Sequence, residues 1–233
     1  MIALRPAAER GHVHIGWLDS KHSFSFGEYY DPRHQGWGPL RVINDDRIAA
    51  GAGFPTHPHR DMEIITYVLD GAVAHRDSSG GEGVIPVGDV QRMSAGSGIQ
   101  HSEFNASSTD ALRLLQIWII PDRRGVQPGY QQIRLDPAAK RDALKLIASK
   151  DGADGALTIQ QDARVYASEL SNGAKVRHEL APGRRAWVQV AKGNVTLNGQ
   201  TLVEGDGAAI EEEPVLELSG AEGGGEVLLF DLP

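Results

Sequence analysis

The chain has 233 residues, with 23 Lys+Arg against 31 Asp+Glu and a formal net charge of −8. That balance gives no electrostatic reason to expect nucleic acid or an anionic membrane as a partner. Hydrophobic residues make up 40% and charged residues 23%, the range of a soluble globular protein and not of a disordered one. The absence of cysteine excludes disulfides, thiolate metal sites and cysteine nucleophiles. No apolar stretch approaches the roughly 20 residues that span a bilayer. The opening Met1-Ile2-Ala3-Leu4-Arg5-Pro6 lacks the apolar core of a signal peptide. A cytoplasmic location is expected.

Glycine is over-represented, at 28 of 233 residues, or about 12% against a usual share of roughly 7%. The glycines are not periodic and sit between short apolar runs, as in an all-β chain with many tight turns. In chain order, residues 63–69 are rich in β-branched and aromatic side chains and stop at Asp70-Gly71, a hairpin signal. Residues 112–120 form a nearly continuous apolar run ended by Pro121, which predicts a strand buried on both faces. From 121 to 155 the composition turns polar and is punctuated by Gly and Pro. Within that span Asp136-Pro137 predicts one or two helical turns with an aspartate cap.

This places an N-terminal domain over 1–130, a linker over 131–145 and a C-terminal domain over 146–233. In the second half, the strand 186–190 leads to a turn around Lys192-Gly193. Strands 194–197 and 200–203 then flank Asn198-Gly199, a strong hairpin signal, and 225–230 closes the chain with one more strand. Each half has strand, Gly turn, strand and a Gly-Asp corner, Gly88-Asp89 and Gly205-Asp206. This weak repeat fits two barrels of similar topology.

His57-Pro58-His59 and His101-Ser102-Glu103 are the residues equipped for chemistry. Side chains two apart on a strand share a face, so each triplet presents two ligands side by side. Two neighbouring strands would then bring three imidazoles and one carboxylate to a point inside a barrel. Such a donor set suits a divalent first-row metal, and an octahedral ion keeps two positions open. Without cysteine, a structural zinc knot does not fit. The dipeptide spacing alone is weak: nine histidines in 233 residues give about 0.35 His-x-His pairs by chance. A second pair, His12-Val13-His14, reads as a solvated loop. The pair at 57 and 59 differs in its frame, with Gly51 before it, a predicted strand from Glu63 and a glycine-rich corner delivering His101 and Glu103. Four such groups brought together without a metal would be unfavourable to bury.

Gly51-x5-His57-x-His59-x3-Glu63 followed by a Gly turn resembles the first cupin motif. Gly88-x5-Ser94 with Gly96, His101 and Asn105 resembles the second. The stretches His22-Ser23-Phe24-Ser25-Phe26, Tyr30-Asp31-Pro32, residues 41–46, residues 56–63 and residues 93–105 look like the pirin family, most of all the bacterial pirins described as quercetin 2,3-dioxygenases. The likeness is detailed through roughly the first half, and the second half fits that subfamily's C-terminal cupin domain.

The resemblance implies an all-β bicupin of two packed jelly-roll barrels (double-stranded β-helices) with few short helices. It implies a metal ion at His57, His59, His101 and Glu103, iron(II) foremost, with zinc, nickel, cobalt, manganese or copper also acceptable to cupin sites. The implied partners are a flavonol such as quercetin and dioxygen, with ring cleavage releasing carbon monoxide and Glu103 accepting the 3-hydroxyl proton as catalytic base. Two other readings stay open. One is an iron-binding, redox-responsive regulatory pirin that meets a protein partner without catalysis. The other is a small-metabolite isomerase using the same ligands without oxygen.

The chain departs from the general cupin pattern at Glu63. One residue of slip turns Glu63 to the far face of its strand and puts Ile64, which cannot bind metal, in the ligand register. The second motif is two residues longer than usual between Gly96 and His101. Glu63 is expected at the surface or behind the ligands. His12, His14, His34, His75 and His178 are expected as ordinary polar residues, and His22 either lines the pocket or packs with Phe24 and Phe26. Ordinary core burial is the expectation for Phe24, Phe26, Trp37 and Trp118, and a solvated loop for Glu211-Glu212-Glu213. With His178 alone, the C-terminal domain cannot assemble a metal site, which leaves it a structural role.

Overall fold

A computed structural model describes residues 1–233. Twenty strands, from β1 (Ile2–Arg5) to β20 (Val215–Leu232), and three short helical turns make up its regular structure. The chain divides into two compact units. One comprises Gly11–Arg134 and Leu157–Gln161, the other Met1–Arg10, Leu135–Ala156 and Asp162–Pro233. This division departs from boundaries at 130 and 146. Strand β1 pairs antiparallel with β19 (Gly207–Glu211), so the first ten residues belong with the C-terminal unit. Nor is 131–145 a plain linker: it begins inside β12 (Gly129–Arg134), which pairs with β9 (Asp89–Ser94) over its whole length. β12 is the edge strand of its sheet. Half-exposed edge strands tolerate polar residues such as Gln131 and Gln132, which hides their periodicity. The helix forms over Pro137–Lys140 as expected, where the Asp136 carboxylate accepts the Ala138 N–H at 2.9 Å.

In the N-terminal unit a seven-stranded sheet has the order β12-β9-β6-β11-β4-β3-β2. Its further members are β2 (Gly11–His14), β3 (Leu18–His22), β4 (Leu40–Ile48), β6 (Glu63–Asp70) and β11 (Leu112–Ile119). A four-stranded sheet runs β5 (Gly53–His59), β10 (Ile99–Asn105), β7 (Ala72–Asp77), β8 (Glu82–Pro86). Leu18, Ile48, Val68, Leu112 and Leu114 of the larger sheet pack with Val73 and Ile85 of the smaller. Each such burial contributes on the order of 1.5–3 kcal/mol before entropy is counted. β11 is buried on both faces, as its apolar run requires. The Asp70-Gly71 turn does not close a hairpin, because β6 pairs with β9 and β11 while β7 pairs with β8 and β10. The glycine (φ +78°) instead turns the chain from one sheet into the other.

The C-terminal unit is built on β17 (Arg185–Leu197) and β20, which pair along most of β17. The turn expected at Lys192-Gly193 is absent, and β17 runs through that point with register shifts at Val190/Lys192 and Gly193/Val195. Gly193 has φ +67° and a Cβ there would stand 2.3 Å from the Gly224 carbonyl oxygen, so this glycine serves a bulge and not a reversal. The reversal comes at Asn198 and Gly199, both at positive φ, joining β17 to β18 (Gln200–Val203). The architecture is an all-β pair of cupin domains.

A buried ion pair ties β11 to β4. Arg113 Nε and Nη2 donate to Asp45 Oδ1 and Oδ2 at 2.9 and 3.0 Å, with both side chains about 7% exposed. Replacing one partner strands the other charge. Arg113→Met is therefore expected to lower the unfolding free energy by about 3–5 kcal/mol. Arg113→Met with Asp45→Leu should recover much of that loss, both read from urea denaturation.

Candidate metal centre and its cavity

The centre depends on an irregular step between two paired strands. β10 runs against β5 with His101 opposite His57 and Ile99 opposite His59, but Glu103 stands opposite Phe54 and not Pro55. The extra residue on β5 is a bulge. It leaves His57, His59, His101 and Glu103 all on the cavity wall and brings Phe54 there too. Gly53 permits the close approach: a Cβ at that position would lie 2.3 Å from the Glu103 carbonyl oxygen and 2.4 Å from Phe104 Cα.

The ligand atoms of His57, His59 and His101 all lie within 4.8 Å of one another, and their ring centroids are 4.5–4.9 Å apart. His57 Nδ1 lies 2.7 Å from the Pro55 carbonyl oxygen, which can only accept, so the proton sits on Nδ1 and Nε2 offers its lone pair to the cavity. That Nε2 is 3.0 Å from His101 Nε2. Two nitrogens each about 2.1 Å from one ion and at right angles to it are about 3.0 Å apart, so the spacing fits one shared ion. Burial, reinforced by His57, pushes the His59 imidazole down to about 4, and burial with the neighbouring histidines pushes His101 to about 2. Both rings are therefore neutral at physiological pH, the form that ligates metal.

Glu103 stands differently. Its carboxylate groups with His101 and His75, and both oxygens have partners: Thr66 Oγ1 donates to Oε1 at 3.1 Å and Gln116 Nε2 to Oε2 at 2.7 Å. Burial pushes its pKa up against the pull of His75, Thr66, His57 and Gln116. His75 is buried directly across β7–β10 from Glu103. It lies 3.0 Å from the Asp77 carboxylate. Burial raises the Asp77 pKa, but hydrogen bonds from Ser79, His75 and Gly81 outweigh it and hold the group below its usual range.

The four residues border one cavity of about 580 Å³, within the range of small-molecule sites. Phe26, Phe54, Ile64 and Trp118 form apolar walls, and Trp118 meets His59 and Phe26 edge-on at 4.9 and 5.1 Å. Phe26 and Trp118 thus face the cavity, whereas Phe24 is buried in the core as expected. Ile64 lines the cavity where the general cupin glutamate would stand. Glu63 points away from it, fully buried and not at the surface, and accepts from Ser94 at 2.7 Å. His22 is a lining residue. His12 and His14 lie on the exposed strand β2 beside Asp19 and not in a loop.

Thr66, Gln116, Ser20, Asn44 and Asp46 were not singled out by sequence spacing. Their signal was polar residues alternating inside apolar strands. Asp46 is 3% exposed and accepts a short hydrogen bond from Ser20. Burial, with Asp45 and Glu103 adding to it against the Ser20 bond, raises its pKa to about 7. Unfolding drops that value to the ordinary 3.8, so between the two the folded chain holds the extra proton and loses stability as pH rises. Asp46→Asn removes this dependence. The variant is expected to exceed the wild type by on the order of 3–4 kcal/mol above pH 7, with the difference vanishing below about pH 4, in denaturation curves taken across pH.

The pirin family profile matches residues 4–119 and that of the quercetinase C-terminal cupin domain matches 146–232. The chain is 52% identical over 233 residues to quercetin 2,3-dioxygenase of Escherichia coli, covering 100% of this chain and 99% of that protein. It is 49% identical over 234 residues to a putative quercetin 2,3-dioxygenase of Pseudomonas aeruginosa, covering 100% of both. The crystal structure of a bacterial pirin from Escherichia coli in complex with nickel(II) superposes with a TM-score of 0.95 at 52% identity, covering 100% of this chain and 99% of that one. On its two matched domains and its full-length relatives, the chain belongs to the pirin family.

Proposed function

We propose that this chain is a metal-dependent flavonol 2,3-dioxygenase, cleaving quercetin or a close analogue with dioxygen and releasing carbon monoxide. The observation that carries the reading is the convergence of His57, His59 and His101 at the edge of an apolar-walled cavity. The full-length relative named quercetin 2,3-dioxygenase supports the substrate class. His57, His59, His101 and Glu103 hold a divalent ion, with iron(II) as the preferred assignment. The relative solved with nickel(II) supports a site tolerant of several metals. When bound, the ion supplies exchangeable positions for the flavonol 3-hydroxyl and 4-carbonyl, a Lewis acid that lowers the hydroxyl pKa, and the electron chemistry dioxygen needs.

The protein's own groups do the rest. Glu103 Oε1, which shares its one donor, Thr66, with Gln116, accepts the 3-hydroxyl proton. Burial favours that transfer because it raises the carboxyl pKa. Thr66 and Gln116 keep the carboxylate from swinging away as its charge changes. Phe26, Phe54, Ile64 and Trp118 confine the flat ring system and exclude water from it.

The test is carbon monoxide release from quercetin by protein loaded anaerobically with iron(II) and then exposed to oxygen. The wild type should produce it catalytically and the His57→Ala/His59→Ala variant should not. No carbon monoxide from fully loaded protein, repeated with the other divalent metals, overturns the reading and favours a regulatory pirin. Glu103→Gln, with metal content verified, is expected to lower kcat by roughly 10²–10⁴-fold and to flatten the acid limb of the pH–rate profile.

A further inference from the structure

The cavity has a second polar region, on the sheet that does not carry the three imidazoles. Ser20 and His22 of β3 and Asn44 and Asp46 of β4 point into it from registered positions, Ser20 opposite Asp46 and His22 opposite Asn44. All four are 1–4% exposed. Buried polar groups at that depth cost free energy unless partnered. Three of them form a chain in which Ser20 Oγ bonds Asp46 Oδ1 and lies 2.7 Å from His22 Nε2. The fourth is left over: Asn44 lines the cavity, and its Oδ1 is buried with no hydrogen-bond partner. An amide oxygen can only accept. Its missing partner is therefore a donor, and the cavity is where that donor can come from.

We propose that Asn44 and Asp46, with Ser20 holding Asp46 in place, form a subsite for the phenolic hydroxyls of a flavonol ring remote from its chelating oxygens. The proposal rests on the dioxygenase reading and adds to it a basis for substrate choice. The surroundings fit this ligand class: flat apolar walls at Phe26, Ile64 and Trp118, and acceptors where an O–H would arrive. A phenol is a strong donor, and Asp46 and Asn44 offer acceptors of two kinds. Apolar walls alone would favour the less hydroxylated flavonol, so a preference for the more hydroxylated one needs such acceptors. A site built to bond a hydroxyl rejects the analogue lacking it because its own buried groups are then unpaired.

The experiment is equilibrium binding to the metal-loaded protein under anaerobic conditions, where nothing turns over, followed by the flavonol absorption band. Quercetin, 3,5,7-trihydroxyflavone and 3-hydroxyflavone share the chelating oxygens and differ in the remote hydroxyls. The wild type is expected to bind quercetin at least tenfold more tightly than 3-hydroxyflavone, and the trihydroxy compound shows which ring the subsite reads. Asn44→Leu and Asp46→Asn should bring the preference toward one while metal stoichiometry stays unchanged. Asp46→Asn is the variant that keeps the fold, since it retains an acceptor for Ser20. Equal wild-type affinities for quercetin and 3-hydroxyflavone, or a preference that survives both substitutions, overturn the subsite and leave the dioxygenase reading standing. Failure of all three flavonols to bind loaded protein overturns both.

Discussion

The proposed metal centre depends on the extra residue that β5 inserts against β10. In a regular antiparallel ladder Pro55 would stand beside Glu103, and the wall would lose Phe54. With the bulge, the same backbone that displaces Pro55 turns its carbonyl toward His57 and fixes that ring's proton on Nδ1. One local irregularity thus sets the placement of three side chains and the tautomer of one of them. It is possible only because Gly53 lets the strands approach where any side chain would meet Glu103 and Phe104. Burial keeps His59 and His101 neutral, so their lone pairs are gathered in one place. A group of lone pairs aimed at one point is stabilised by a cation there, which is how folding free energy is converted into metal affinity.

The second constraint is register. Because β3, β4, β11 and β6 are locked in antiparallel ladders, His22, Asn44, Gln116 and Thr66 form one row across the sheet. The row ends on Glu103, through Thr66 and Gln116. A neighbouring row brings Ser20 against Asp46. Such polar rows inside a barrel add little stability by themselves, since each hydrogen bond replaces one the group made to water. Asp46 shows the cost most clearly, held at a pKa of about 7 by its burial. Groups kept at that cost beside a cavity mark a site and not a core.

Much of this was legible in the sequence. The His-x-His and His-x-Glu triplets needed only the two-residue strand period, and the slip that turns Ile64 and not Glu63 to the cavity followed from that period set against the cupin pattern the chain resembles. Asn198-Gly199 and the Asp136 cap are local, and local chemistry placed them. What stayed hidden depends on partners distant in the chain. Asp70-Gly71 has the residues of a hairpin, yet β6 and β7 find their neighbours in different sheets. Gly193 looks like a turn and is a bulge, because β20 continues alongside it. Asn44 and Gln116 look like interruptions of apolar strands until the register sets them side by side. His75 reads as an ordinary histidine until Glu103 is placed opposite it.

The C-terminal unit is also all-β but carries no cluster of histidines. There the interior is closed by one apolar cluster that includes Val188, Val190, Leu197, Ile210, Leu218 and Leu229. Its single histidine, His178, is bound by Asp231, which Arg184 also engages, and no second histidine lies in that unit to share a ligand with it. In the N-terminal unit the apolar residues gather in separate clusters, one around Val68 and Leu114 and another around Ile64 and Met93. Part of the cohesion passes to polar fastenings that hold strands together from the side, such as Arg113 on Asp45 and the Asn105 amide on the carbonyls of Ile48, Ala49 and Asp110. None of these groups lines the cavity, so the barrel can stay open there and still keep the registry that the proposed metal centre requires.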